Sequence, residues 1–205
     1  MNDVPTGETQ GRRTGGRIRS QDAHDAVLAT AIELVEELGY QAVTMERIAA
    51  RADVAKSTVY RWWKSKPALV MDAYRTAVEQ RMPEPDTGSL AGDLTAFAIA
   101  LYGVTAHPVR VRTLRGLMAE AQLDPAFAEP FQEWVESRRA VVLALLARGV
   151  RRGELPATAD LTAATDHFFG LFWYRLLVGH APLQPDQAPG HVDQLLHGLL
   201  AHHDR

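Results

Sequence analysis

Residues 44–69 read TMERIAARADVAKSTVYRWWKSKPAL, from Thr44 to Leu69, and their pattern predicts two short helices, a tight turn and the start of a third helix. Thr44 is suited to cap the first helix, since its hydroxyl can accept from an early N–H, and Glu46 falls in the positive first turn. Ile48, Ala49 and Ala52 recur at helical spacing and face inward. The turn is Ala52-Asp53-Val54-Ala55. Lys56 to Trp63 forms the second helix, with Val59 and Trp63 four apart on one face. Ser65 can cap the third helix, whose first turn tolerates Pro67 and whose Leu69 returns to the core.

A short turn between two helices, the second polar and basic, is the plan of a DNA-reading helix-turn-helix. From Thr44 to Lys66 there are six basic residues, Arg47, Arg51, Lys56, Arg61, Lys64 and Lys66, and two acids, Glu46 and Asp53. The local net charge is thus +4 in a chain whose formal total is −3. A basic patch on a mildly acidic protein is the footprint of a phosphate-contacting surface. The competing reading is a solvated face on a helical small-molecule-binding bundle without DNA function.

The same run resembles the DNA-binding region of TetR-family transcriptional regulators. The matching features are the Thr that opens the first helix, Ile48-Ala49, Thr58-Val59-Tyr60, the pair Trp62-Trp63, and Lys66 before Leu69. Two positions depart from the family pattern. Asp53 stands where Gly is usual, and Asp tolerates a left-handed backbone better than most residues. Ala55 stands where Ser or Thr commonly caps, and loss of such a cap costs about 0.5–2 kcal/mol.

The 205 residues, 46% of them hydrophobic, suffice for one small domain and one larger one. Cysteine is absent, so there is no disulfide or thiol chemistry. The polar, Gly-rich N-terminus does not read as a secretory signal, and no apolar run approaches the roughly 20 residues that span a bilayer. A cytoplasmic protein without a membrane partner is expected. Residues 1–19 read as a disordered basic arm, either a solubilising tail or a segment that lies along phosphates or in the minor groove. Residues 20–66 form the helix-turn-helix domain, opened by a helix over Ser20–Leu38 with Val27, Ala31, Leu34, Val35 and Leu38 in one stripe. His24 is expected to face solvent. Residues 67–82 are a connecting helix.

Residues 89–205 form a C-terminal helical domain. Helices are predicted over Leu90–Thr105 and Val109–Gln122; Asp124-Pro125 then reads as a cap and first turn, with Pro130 restarting a helix whose stripe runs Phe131, Trp134, Val135, Arg138, Val142, Leu145, Leu146 and Gly149. Arg148, Arg151 and Arg152 are explained by the helix dipole. A helix over Asp160–Gly179 is apolar nearly all round, with Leu171 and Tyr174, and needs cover on more than one side. The last helix, His191–His202, carries Val192, Leu195, Leu196, Leu199 and Leu200 in one stripe, which argues for burial against a partner.

No phosphate-binding loop, dinucleotide glycine run or His-Glu-x-x-His occurs, so no catalytic residue, metal site or cofactor is expected. His167 reads as a core residue, and the C-terminal histidines do not share a face. The expected fold class is all-α: an N-terminal three-helix helix-turn-helix domain and a C-terminal helical domain. The resemblance implies that the latter binds a ligand and dimerises, through Leu171, Tyr174, Leu195, Leu196 and Leu199.

A homodimeric regulator, a repressor relieved by an unknown small apolar or aromatic effector, is the expected function, and it is not an enzyme. Lys56, Ser57 and Thr58 are the candidates for base edges, with Thr44, Tyr60, Trp62 and Lys66 on phosphates. Its DNA partner would be a near-palindromic operator with half-sites roughly 34–36 Å apart. Phe97, Met118, Trp134 and Phe168 are the candidate lining of an effector cavity.

Overall fold

A computed structural model describes residues 11–82 and 84–200, with side chains described over 20–82 and 84–198. Among the described residues there are helices and connecting turns and no strand. The chain divides into two compact units, Met1–Tyr74 and Arg75–Arg205.

In the first unit, α1 spans Gly11–Leu38. It begins nine residues earlier than Ser20, because extending an existing helix avoids the cost of nucleation and arginine is a good helix former. Of the arm expected over 1–19, residues 1–10 and the side chains of 11–19 lie outside the described residues. Val27, Ala31, Leu34 and Val35 are buried, joined by Leu28 and Ile32, whereas Leu38 is 48% exposed. Gly39 ends the helix at φ +79°, a conformation natural to glycine. A 3-10 turn, Tyr40–Ala42, leads to buried Val43.

Thr44 then caps α2, Met45–Arg51, its hydroxyl accepting from the Arg47 N–H at 3.2 Å. Asp53 takes φ +53°, the left-handed turn conformation its short polar side chain tolerates. The next helix, α3, spans Lys56–Trp62 and stops one residue short of Trp63, which is extended. Ala55 supplies no side-chain cap, and the Thr58 N–H instead meets the Ala55 carbonyl at 2.8 Å. Ile48, Val59 and Trp63 are buried. The indole of Trp63 donates to Asp72 Oδ2 at 2.9 Å, which ties the residue after α3 to α4, Lys66–Arg81. Ser65 Oγ accepts from the Ala68 N–H at 3.3 Å and so caps α4.

The second unit holds α5 (Leu90–Tyr102), α6 (Pro108–Leu123), α7 (Pro125–Arg151), α8 (Leu161–Val178) and α9 (Ala188–Leu200). α5 packs on α7 and α9, α6 on α7, and α8 on α7 and α9. Ser89, Asp124 and Asp160 cap α5, α7 and α8 by accepting from the N–H groups of Gly92, Ala126 and Ala163. α7 does not restart at Pro130 but runs through it. Buried Phe127, Phe131 and Trp134 on either side hold the helix across the missing hydrogen bond. α9 begins at Ala188 rather than His191, continuing directly from a 3-10 turn over Pro185–Gln187.

The basic cluster that ends α7 has a more specific role than the helix dipole. Arg148 and Arg152 each reach Asp93 Oδ2 at 3.2 Å, and Asp93, on α5, is fully buried. Glu154 accepts from the Leu90 N–H at 2.6 Å and closes the start of α5. Gly149 lets the helices touch: a Cβ there would lie 2.6 Å from Leu90 Cδ2.

Candidate nucleic-acid interface and helical core

The exposed side of α3 carries Lys56, Ser57, Tyr60 and Arg61, with Thr58 half-buried. The polar residues project because Val59 and Trp63 turn the opposite face into the core. Glu46, in the first turn of α2, organises this surface. Its carboxylate meets Lys56 Nζ at 2.6 Å and accepts from the Tyr60 hydroxyl at 3.0 Å. Lys56 also lies 5.6 Å from the centre of the Tyr60 ring. The bonds from Lys56, from its own backbone and from Tyr60 hold the Glu46 carboxyl down at about 2. The same bond to Glu46 pushes the Tyr60 phenol up.

The basic patch therefore presents less free charge than its composition suggests. Arg51 makes a two-pronged pair with Glu37 at 2.6 and 2.7 Å. Arg47 donates to the Ala42 carbonyl at 2.8 Å. Lys66 is half-buried, donating to the Tyr40 carbonyl at 3.2 Å with its ammonium 3.9 Å above the Tyr40 ring. Thr44 is exposed beside Glu46 and uses its hydroxyl as the α2 cap. Trp62 is half-buried, and its ring centre lies 5.3 Å from that of His24, which also sits 4.6 Å from Trp63. His24 thus packs on the tryptophan pair and is half-buried, where the sequence predicts a solvent-facing side chain. Turn and cap chemistry point to the frame of this surface, but the Glu37 and Glu46 contacts join separate helices and have no local sequence signal.

In the second unit, Phe97 and Phe168 pack with ring centres 5.9 Å apart. Trp134 lies 5.5 Å from Phe131 and 6.5 Å from Trp173. Phe97, Trp134 and Phe168 are buried and belong to this aromatic core. Met118 is half-buried on α6, with Gln122 against its sulfur at 3.8 Å.

A cavity of about 730 Å³ opens elsewhere, between α8 and α9, lined by Asp160, Ala163, Ala164, His167, His191 and Leu195. His167 is exposed on its wall and not a core residue. His191 meets the Tyr102 hydroxyl at 3.1 Å, and burial draws its pKa down.

Of the residues expected at a dimer face, Tyr174 is 59% exposed, while Leu171, Leu195 and Leu196 are half-buried. The side chain of Leu199 lies outside the described residues. Leu177 and Val178, 44% and 59% exposed, extend the apolar surface of α8 beyond the residues named from sequence. Among the described residues, no single helix is long and apolar enough to cross a membrane.

An all-α chain with a capped helix, a left-handed turn and an exposed polar second helix defines a helix-turn-helix regulator. Residues 27–73 match the family of bacterial regulatory proteins, tetR family, and residues 84–195 match the tetracyclin repressor-like C-terminal domain. The chain is 36% identical over 165 residues to the HTH-type transcriptional regulator YdeS of Bacillus subtilis, covering 80% of this chain and 82% of YdeS. It is 28% identical over 201 residues to the DNA-binding transcriptional repressor TetR of Mycobacteroides abscessus, covering 89% and 96% of the two chains. The solved structure of the TetR-family regulator SCO0332 superposes with a TM-score of 0.74 at 31% identity, covering 85% of this chain and 96% of that one. The chain belongs to the TetR family of transcriptional regulators, a family of DNA-binding proteins and not of enzymes.

Proposed function

We propose that this protein is a cytoplasmic, homodimeric repressor that reads a near-palindromic operator and is relieved by a small apolar or aromatic ligand. The observation that carries the reading is α3 itself, with Lys56, Ser57 and Tyr60 exposed on a short helix whose other face is locked by Val59 and Trp63. α3 enters the major groove, with Lys56, Ser57 and Thr58 at base edges and Thr44, Tyr60, Trp62 and Lys66 on phosphates.

Relief follows if the ligand favours a conformation with the wrong half-site spacing, by no more than its differential affinity for the two states. Phe97, Met118, Trp134 and Phe168 contribute the ligand site. Dimerisation through α8 and α9 would cover exposed Tyr174, Leu177 and Val178. The repressor reading is supported by similarity to the M. abscessus repressor.

A retardation assay on DNA flanking the protein's own gene tests the proposal. Binding that weakens steeply with salt, and is released by a compound that perturbs a Trp62→Phe/Trp63→Phe variant's fluorescence, is the expected result. Release without any signal from the remaining Trp134 and Trp173 would reject the ligand-gated part.

A further inference from the structure

Arg138 lies in the middle of the buried stripe of α7 and is only 7% exposed. Its guanidinium carbon stacks 5.2 Å from the centre of the Phe97 ring. Nη2 donates a long hydrogen bond, 3.3 Å, to the Met82 carbonyl just beyond the end of α4. Arginine has five N–H donors, and among the described residues Arg138 has no carboxylate partner within ion-pair distance. Glu79 acts on it only through its field, and burial draws the guanidinium's pKa down. The contrast with Arg148 and Arg152, both bonded to buried Asp93, is sharp. A buried cation without a counter-charge is costly to the fold, and a hydrophobic residue of similar size would avoid that cost.

We propose that Arg138 is the anion receptor of the effector site, and that the effector is a small organic carboxylate with an aromatic or long apolar body. This rests on the ligand-gated reading above and names the class of its ligand. The planar fork of a guanidinium matches a carboxylate with two parallel hydrogen bonds. A single cation in apolar surroundings balances one negative charge, which favours a carboxylate over a phosphate dianion. Phe97 beneath Arg138, Phe168 beside Phe97, and Trp134 one turn earlier on α7 pack as buried core in this structure and would part to form walls for the apolar body. A carboxylate that captures the guanidinium takes its donor from the Met82 carbonyl. The binding event is thereby coupled to the end of α4, which runs unbroken from Lys66.

The test uses the full chain and three matched pairs of probes: phenylacetate, 2-naphthoate and decanoate, each with its primary amide. Binding is read from tryptophan fluorescence and from release of operator DNA. At least one carboxylate should bind about tenfold or more tighter than its amide, as a lost charge-assisted pair implies. Arg138→Met should erase that preference and, without ligand, melt at the same or a higher temperature than the unmodified protein. Arg138→Lys keeps the charge without the fork and should retain a weaker preference. The proposal is overturned if no carboxylate is preferred, if the preference survives in Arg138→Met, or if Arg138→Met melts lower, which would assign Arg138 to the fold. DNA release by the neutral amides would overturn the anion receptor and leave ligand gating intact. Carboxylate binding at Arg138 without DNA release would instead reject gating by that ligand.

Discussion

Glu46 on α2 holds Lys56 on α3 at 2.6 Å, so the acid of one helix of the motif fixes the cation at the start of the other. The carboxyl, held at about 2, lies below the ordinary value of about 4.3. Because the folded value is depressed, the pair's contribution is complete above about pH 4.3 and lost as pH falls toward 2. An NMR titration should find the Glu46 midpoint near 2, and Lys56→Ala should move it toward about 4.3. An unchanged midpoint in Lys56→Ala would remove Lys56 as the chief cause.

In the proposed complex the same carboxylate would oppose the approach of phosphates. Glu46→Gln should tighten binding to random-sequence DNA and steepen the dependence of log K on log salt by up to about 1, as one opposing negative charge leaves the surface that faces the DNA. Reduced affinity for all DNA would show that the pair's main effect is to pre-order Lys56 and Tyr60. Fluorescence anisotropy across a salt series distinguishes the two.

Close contact between α5 and α7 predicts a steric cost at Gly149. Leu90 is 1% exposed, so its side chain must shift within a packed core to admit a new methyl group. Gly149→Ala should destabilise the protein by about 1–3 kcal/mol in urea unfolding. Combined with Leu90→Ala it should cost less than the sum of the two single changes, because the added methyl partly fills the space vacated. Strict additivity would mean that the two residues do not meet.

What the sequence discloses about this fold is what local chemistry decides. The Thr44 cap, the Asp53 turn, the Ser65 cap and the start and stop of α8 at Asp160 and Gly179 all depend on residues within one turn of each other. The features that escape it join distant segments. Arg51 meets Glu37, and Arg148 and Arg152 meet Asp93, 55 and 59 positions away. Counting charges in a window treats such residues as free. Pro130 is misleading for a related reason: its local penalty is real, but packing of Phe127, Phe131 and Trp134 outweighs it. The residues proposed to touch DNA could be placed on the frame from sequence, whereas Glu46's hold on two of them could not.

Dimerisation is tested at Leu196, half-buried on α9. A carboxylate buried unpaired in an interface is strongly unfavourable. Leu196→Asp should be monomeric by light scattering, keep most of its helix content by circular dichroism, and lose operator affinity. A variant that stays dimeric would put the interface on another face.

In the proposed complex α3 reads base edges while Lys66 serves the backbone. The direct measurement is affinity for every single-base-pair variant of the operator, at several salt concentrations, for the unmodified protein, Lys56→Ala, Thr58→Ala and Lys66→Ala. Lys56→Ala and Thr58→Ala should change which base pairs matter. Lys66→Ala should weaken binding to all variants by a similar factor and lower the salt slope by about 1. Unaltered base preference in both Lys56→Ala and Thr58→Ala, with operator binding retained, would contradict the assignment of α3 as the reading helix.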